Sequence, residues 1–451
     1  MFKTVGDQVI CKVGAVKLPR QIWVLVCTAF LIAVGYGVVA PVLPNYAQSF
    51  GVSIFAANAV VSVFAFFRLL GAPLSGKVSS TVGERKAYMT GISIVAVSSL
   101  ACAFAPNYAT LLILRGLGGL GSVMFTVAAL ALIIRYAPAG GRGRASAAYS
   151  GAFLIGGIVG PALGALLAPL GMRAPFILYA VALFIASFVV GYATRHGAVT
   201  GGAPAGAEDT GDAGSASSVA DAGVASAESS GAGGSGADVA GADAADRPRL
   251  TLRAAMKYRL FWHCCYTQFV QAWTNLGVRN SLVPLFAASF ATGPAWLSGA
   301  VLAAFAAGNG VALLFSGRLS DRFGRAPGMV FGLLCAGTFT LGMGWMNWPL
   351  LLATAVCAGF GSGFIQPNAQ GAIADMVGDR EASNVLAAFQ AAGDVGQILG
   401  PLVAGAITDS FGYGPAFLIS GLLTLSAAPL WLRRWRRDKR ERGAENTRIQ
   451  S

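Results

Sequence analysis

Charge is scarce in this chain. Asp, Glu, Lys and Arg make up 11% of its 451 residues, against about 25% in an ordinary soluble domain. Histidine is nearly absent, with only His196 and His263. The seven cysteines contain no C-x-x-C pair, so neither a disulfide frame nor a zinc site is expected. There is no H-E-x-x-H and no G-x-S-x-G on an exposed turn, which removes the usual constellations of an intramembrane enzyme. The first apolar run also lacks an A-x-A cleavage site, and it is expected to stay as a helix rather than leave as a signal peptide.

What the chain has instead is apolar length. Hydrophobic residues reach 55% and the mean hydropathy is +0.65. A membrane crossing needs about 20 mostly apolar residues. Twelve stretches qualify: 22–44, 54–75, 87–105, 108–134, 145–170, 174–194, 260–287, 294–316, 327–346, 349–374, 384–408 and 414–432. An all-α polytopic membrane protein follows.

Basic residues orient it. Of 32 Lys and Arg, only Arg68, Arg115 and Arg279 fall inside these stretches, and only Arg173 falls in an outer loop. The others gather on the side that holds both termini. Because cytoplasmic loops collect positive charge, both termini are expected inside. The net charge of +13 then reports topology and anionic lipid headgroups at the basic end of the chain, with no nucleic-acid partner expected.

Between the sixth and seventh stretches, 198–246 carries no aromatic residue, no Lys or Arg, and eight acidic side chains. Such a segment cannot bury enough apolar surface to offset ordering, and it reads as a disordered tether. The expected layout is a cytoplasmic N-terminus (1–21), a six-helix bundle (22–195), a linker (196–252), a second six-helix bundle (253–432) and a basic tail (433–451).

Sliding the chain on itself by 240–241 residues aligns the two bundles. Tyr46 and Phe50 fall on Phe286 and Phe290; Gly76 and Gly83 fall on Gly317 and Gly324. Gly119 and Gly121 fall on Gly359 and Gly361, while Gly156, Gly160 and Pro161 fall on Gly396, Gly400 and Pro401. Six crossings return the chain to the same side, so the repeats are parallel. Transporters built this way bind substrate near the midplane between the halves.

Gly317, Asp321, Gly324 and Arg325 form a loop signature that resembles the major facilitator superfamily, and Gly76, Gly83 and Arg85 are its first-half copy. Arg115 with Gly119 and Gly121 resembles the family's helix 4 motif. Gly156, Gly160, Pro161 and Gly164 resemble its helix 5 motif. Tyr36-Gly37 and Pro41-x-x-Pro44 are similar to the twelve-helix drug:proton antiporter group. The resemblance implies a monomeric secondary transporter of small molecules, multi-pass in a cytoplasmic (inner) membrane, driven by protons and needing no cofactor; the Ala/Gly-heavy linker points to a bacterial source. It also implies a role for Arg115 in proton handling and for the loop signatures in latching the halves. Where the first-half loop should carry an acid there is Ser80, and Glu84 is a candidate substitute.

Two nucleotide-like motifs, Gly116 to Gly121 and Gly71 to Lys77, lie in or beside helices rather than after strands, and neither is read as a phosphate cradle. Gly156, Gly160 and Gly164 recur on one helix face, as close packing between apolar helices requires; that face is a tight contact, a pivot, or both.

Ionisable groups at membrane depth are costly, about 2.5–3.5 kcal/mol on insertion scales. Asp394 is the one carboxylate placed well inside a stretch, with Gln390 and Gln397 on its face. It is expected either to carry a proton, since desolvation raises a carboxyl pKa, or to sit in a static ion pair. In the seventh stretch, Gln268, Gln271, Asn275 and Arg279 share one helical face. Gln366 and Gln370, with Tyr36, complete the expected cavity wall. Proton-coupled efflux of small organic or amphipathic molecules is the expectation; proton-coupled uptake or facilitated diffusion of a metabolite is the alternative.

Overall fold

The computed structural model describes residues 18–138, 141–193, 250–378, 380 and 382–450, without the side chains of Ser80, Arg142, Asp321, Ser383 and 441–450. The expected linker lies outside the described residues up to 249, as does most of the N-terminus. Six long helices make the first half: α1 (Arg20–Val39), α2 (Ile54–Val82), α3 (Glu84–Ala103), α4 (Tyr108–Tyr136), α5 (Arg142–Leu167) and α6 (Ala174–Ala193). In the second half, α7 runs through Arg259–Gln271, a π-helical segment Ala272–Val278, and Arg279–Ala288. There follow α8 (Leu297–Phe323), α9 (Arg325–Gly342), α10 (Trp348–Val377), α11 (Ser383–Phe411), α12 (Tyr413–Ser426) and α13 (Ala428–Gln450).

Ten of the described helices are long and apolar enough to cross a membrane. The other two of the twelve expected are α7 and α11. The π segment divides α7 into shorter pieces, and Gln390, Asp394 and Gln397 dilute the apolar character of α11. Hydroxyls within the bundles bond back to their own helix, as Thr28 Oγ1 does to the Val24 carbonyl at 2.7 Å and Ser75 Oγ to Gly71 at 2.7 Å, so they need no water. Phe188, Leu166 and Ile113 point outward, exposed by 75%, 74% and 65%. A soluble protein would not display so much apolar surface.

The repeat seen in the sequence is a repeat in space. Asn107 caps α4 through Thr110 N at 2.9 Å; Asn347 caps α10 through Leu350 N at 3.2 Å. The Tyr46 ring meets Phe50 and Phe176, both at 5.3 Å, and its counterpart Phe286 meets Phe290 at 4.9 Å and Phe417 at 5.5 Å. Where α1 crosses α5, a Cβ built on Gly37 would lie 2.7 Å from Pro161 Cδ; where α7 crosses α11, one on Gly277 would lie 2.9 Å from Pro401 Cδ. Glycine is required at these crossings because the backbones leave no room for a side chain.

Helices α2 and α8 outrun their apolar stretches. Both were expected to end near 75 and 316, yet they continue to Val82 and Phe323. Hydropathy cannot see a helix that leaves the apolar layer. Single glycines with positive φ, Gly83 (91°) and Gly324 (85°), then turn the chain into α3 and α9. Likewise, the basic run after residue 432 is not a structureless tail. It continues as α13, anchored by Trp431, whose Nε1 donates to Thr267 Oγ1 at 2.8 Å.

Candidate functional site

The two halves meet along α2 with α11 and along α5 with α8. Four hydrogen bonds cross between the halves toward one end. Asp409, in the last turn of α11, accepts from Ile54 N and Phe55 N of α2, each at 2.9 Å. Ser62 Oγ donates to the Ile398 carbonyl at 2.8 Å, and Asn45 Nδ2 to Pro284 O at 3.5 Å. Close backbone approach joins α5 and α8 at the same end, with a Cβ on Gly299 only 2.7 Å from Ala165 N. At the other end stand the hinge glycines Gly83 and Gly324, and around Gly76 and Gly317 a Cβ would meet nothing within 4 Å.

Behind the closed end lies a cavity of about 390 Å³ shared by both halves. Tyr36, Phe153 and Pro161 line it from α1 and α5; Arg279, Asn280 and Leu302 line it from α7 and α8. Arg279 also borders a second cavity of about 330 Å³ inside the second half, with Asn275, Phe305 and Phe417. Its guanidinium lies 4.5 Å above the Phe305 ring, and its Nε donates to Asn280 Oδ1 at 3.2 Å. Arg115 is arranged in the same way: buried, it sits 4.5 Å above Phe64, the residue equivalent to Phe305 at an offset of 241. The two arginines come from non-equivalent helices onto equivalent rings. Phe64 in turn contacts Tyr36 at 6.3 Å, so Arg115 reaches the shared cavity through two rings.

The polar face expected on α7 meets two neighbouring helices. Gln271 Nε2 donates to Ser362 Oγ of α10 at 2.9 Å, and Asn275 Nδ2 donates to the same oxygen. Gln268 packs instead on α11, where a Cβ on Gly393 would lie 2.9 Å from its Nε2. Asp394 is half-buried beside this contact, between buried Gln390 and half-buried Gln397, and it lines neither of the two cavities. On α10, Gln366 is buried and Gln370 half-buried. The structure therefore brings Tyr36 and Arg279 onto one cavity across the halves. Asp409 and Asn280 were missed as site residues. Asp409 reads in sequence only as a helix-end acid, and Asn280 only as a neighbour of Arg279.

The bonds of Arg85 and Glu84 lie within the first half. Arg85 donates to the Gly191 carbonyl at 2.6 Å. Glu84 pairs with Arg135 of α4 at 3.6 Å, so its carboxylate is engaged inside its own half. At the equivalent positions the charges are exchanged: Arg325 holds Asp375 through two bonds of 2.5 and 3.0 Å. The side chain of Asp321 lies outside the description. The helix 5 motif packs α5 on α1, with Gly156 against Phe30 O and Ala33, Gly160 against Gly37, and Gly164 against Val38.

Two parallel six-helix halves joined at one end around a shared cavity define a membrane transporter, not an enzyme. The Major Facilitator Superfamily profile matches residues 25–302 and again 272–450, and the chain belongs to that family. The quinolone resistance protein NorA of Staphylococcus aureus is 29% identical over 177 residues, 39% of this chain and 45% of NorA. The multidrug efflux protein YfmO of Bacillus subtilis is 29% identical over 191 residues, 41% of this chain and 46% of YfmO. The chain thus matches about half the length of these curated relatives. Among solved structures, a bacterial homologue of the human lysosomal transporter Spinster superposes with a TM-score of 0.72 at 14% identity, covering 92% of this chain and 96% of the other. The nucleoside transporter NupG gives 0.65 at 13% identity, covering 92% and 99%. These likenesses concern the fold.

Proposed function

We propose that this protein exports small amphipathic organic molecules across a bacterial cytoplasmic membrane in exchange for protons, by alternating access. The observation that carries this reading is the one-ended closure: cross-half bonds at Asp409, Ser62 and Asn45 shut one side of a cavity that both halves line. With the basic loops inside, the closed end faces outward and the cavity loads from the cytoplasm. The likeness to NorA, a quinolone resistance protein, and YfmO, a multidrug efflux protein, supports export over uptake. Asp394, half-buried on α11, is the proposed proton carrier. Protonation would remove a charge from the interior and favour one orientation, while substrate would favour the other. Arg115, buried behind Phe64, is the second candidate for proton handling.

The test is accumulation of fluorescent amphipathic dyes in energised cells lacking their major pumps. Cells carrying empty vector, wild type or Asp394→Asn are compared with and without a protonophore. Lower accumulation with wild type alone, abolished by protonophore, is the expected result. Higher accumulation with wild type would replace export by uptake, and unchanged export by Asp394→Asn would remove Asp394 as the carrier.

A further inference from the structure

We propose that the cavity between the halves selects amphipathic anions, with Arg279 and Asn280 together holding a carboxylate. The proposal rests on the reading of this cavity as the transport path and adds the chemical class of its cargo. Three observations carry it.

First, the charge in the cavity has one sign. Among the described residues that line it, Arg279 is charged and none is Asp or Glu. Asp394, the carboxylate that would suit a cation, is not among the residues lining this cavity. A cation brought beside Arg279 would meet like charge in a medium that screens poorly, whereas an anion would meet a planar fork of donors matched to a carboxylate. Stacking on Phe305 at 4.5 Å fixes the plane of that fork.

Second, Asn280 supplies another donor. Its Oδ1 accepts from Arg279 Nε, which settles which end of the amide is which. The Nδ2 group is left buried with no hydrogen-bond partner, on a residue only 5% exposed that lines the same cavity. A buried donor without an acceptor is unfavourable, and an arriving carboxylate oxygen would satisfy it beside the guanidinium.

Third, the remaining wall is apolar. Ala33, Phe153, Pro161 and Leu302 face the same space. The aromatic or aliphatic body of a ligand would meet this wall, with its acid directed at α7.

The test is direct binding to the purified full-length protein at neutral pH, by calorimetry, of three probes with one shared ring system: naphthoate, naphthamide and naphthylmethylammonium. Wild type is expected to bind naphthoate about tenfold or more tighter than naphthamide, the scale of a charged hydrogen bond, and the ammonium most weakly. Arg279→Gln should erase the preference while keeping naphthamide binding, and Arg279→Lys should keep part of it. Asn280→Leu should weaken naphthoate about fivefold. If Arg279→Gln does not fold, Arg279→Lys and Asn280→Leu carry the test. Equal binding of amide and carboxylate, tighter binding of the ammonium, no binding of naphthoate, or a preference that survives Arg279→Gln would each overturn the proposal. A carboxylate preference in a protein that fails the accumulation test would support the anion site and overturn the export reading.

Discussion

Asp409 accepts a hydrogen bond from the backbone N–H of Ile54 at 2.9 Å across the two halves. Its other oxygen takes the N–H of Phe55, so one carboxylate caps the start of α2 from the end of α11. A helix N-terminus carries unsatisfied N–H groups and partial positive charge; here the opposite half provides the cap. Because the cap is lost when the halves separate, its energy belongs to the closed end alone.

Asp409→Ala should therefore open that end. The measurement is the rate at which a membrane-impermeant maleimide, added from outside, labels Tyr36→Cys in a cysteine-free background. Labelling is expected to rise about fivefold, the scale of a charged hydrogen bond discounted for exposure. An unchanged rate would mean that the cap does not hold the closure.

Adjacent glycines of α5 should respond differently to alanine. A Cβ on Gly156 would lie 2.6 Å from Ala33 Cβ and 2.7 Å from Phe30 O, while one on Gly157 would meet nothing within 4 Å. Gly156→Ala is expected to cost about 1–3 kcal/mol, as overpacking does, and Gly157→Ala to be near neutral. Melting temperatures in detergent check this; equal effects would contradict the α1–α5 packing.

Much of this architecture is legible in the sequence, for a physical reason. Apolar runs mark helices wherever lipid is the solvent, and the 240-residue offset places Gly37, Gly160 and Pro161 over Gly277, Gly400 and Pro401 before any coordinate is known. The site is less legible. Regular spacing puts Gln268, Gln271, Asn275 and Arg279 on one face. The structure keeps Gln271 and Asn275 together on Ser362 and Asn275 and Arg279 on one cavity, but it packs Gln268 on α11, a partner that spacing cannot name. Asp409 and Ile54 are 355 residues apart, and helical periodicity says nothing about partners across the bundle.

Ser362 is fully buried and accepts from two amides. Ser362→Ala should leave both without that acceptor and lower stability by about 1–3 kcal/mol, read as a melting-temperature loss. If instead the melting temperature holds and transport alone falls, Gln271 and Asn275 face substrate rather than α10.

The exchanged ion pairs allow a swap. Glu84 and Arg135 sit where their charges favour the start of α3 and the end of α4; Arg325 and Asp375 hold the reverse polarity. Asp375→Asn should cost up to about 1 kcal/mol, given the exposure of this pair. The double change Arg325→Glu with Asp375→Arg should recover most of it. A double variant no better than the single one, by thermal unfolding, would mean that the pair contributes through geometry rather than charge.

The most direct test is proton-driven exchange in proteoliposomes containing only this protein. An imposed pH gradient should drive an amphipathic dye against its own gradient, with matching proton movement seen by an internal pH indicator. Asp394→Asn should abolish the proton movement while leaving dye binding intact. Dye movement that only follows its own gradient, with no proton flux in wild type, would contradict the account.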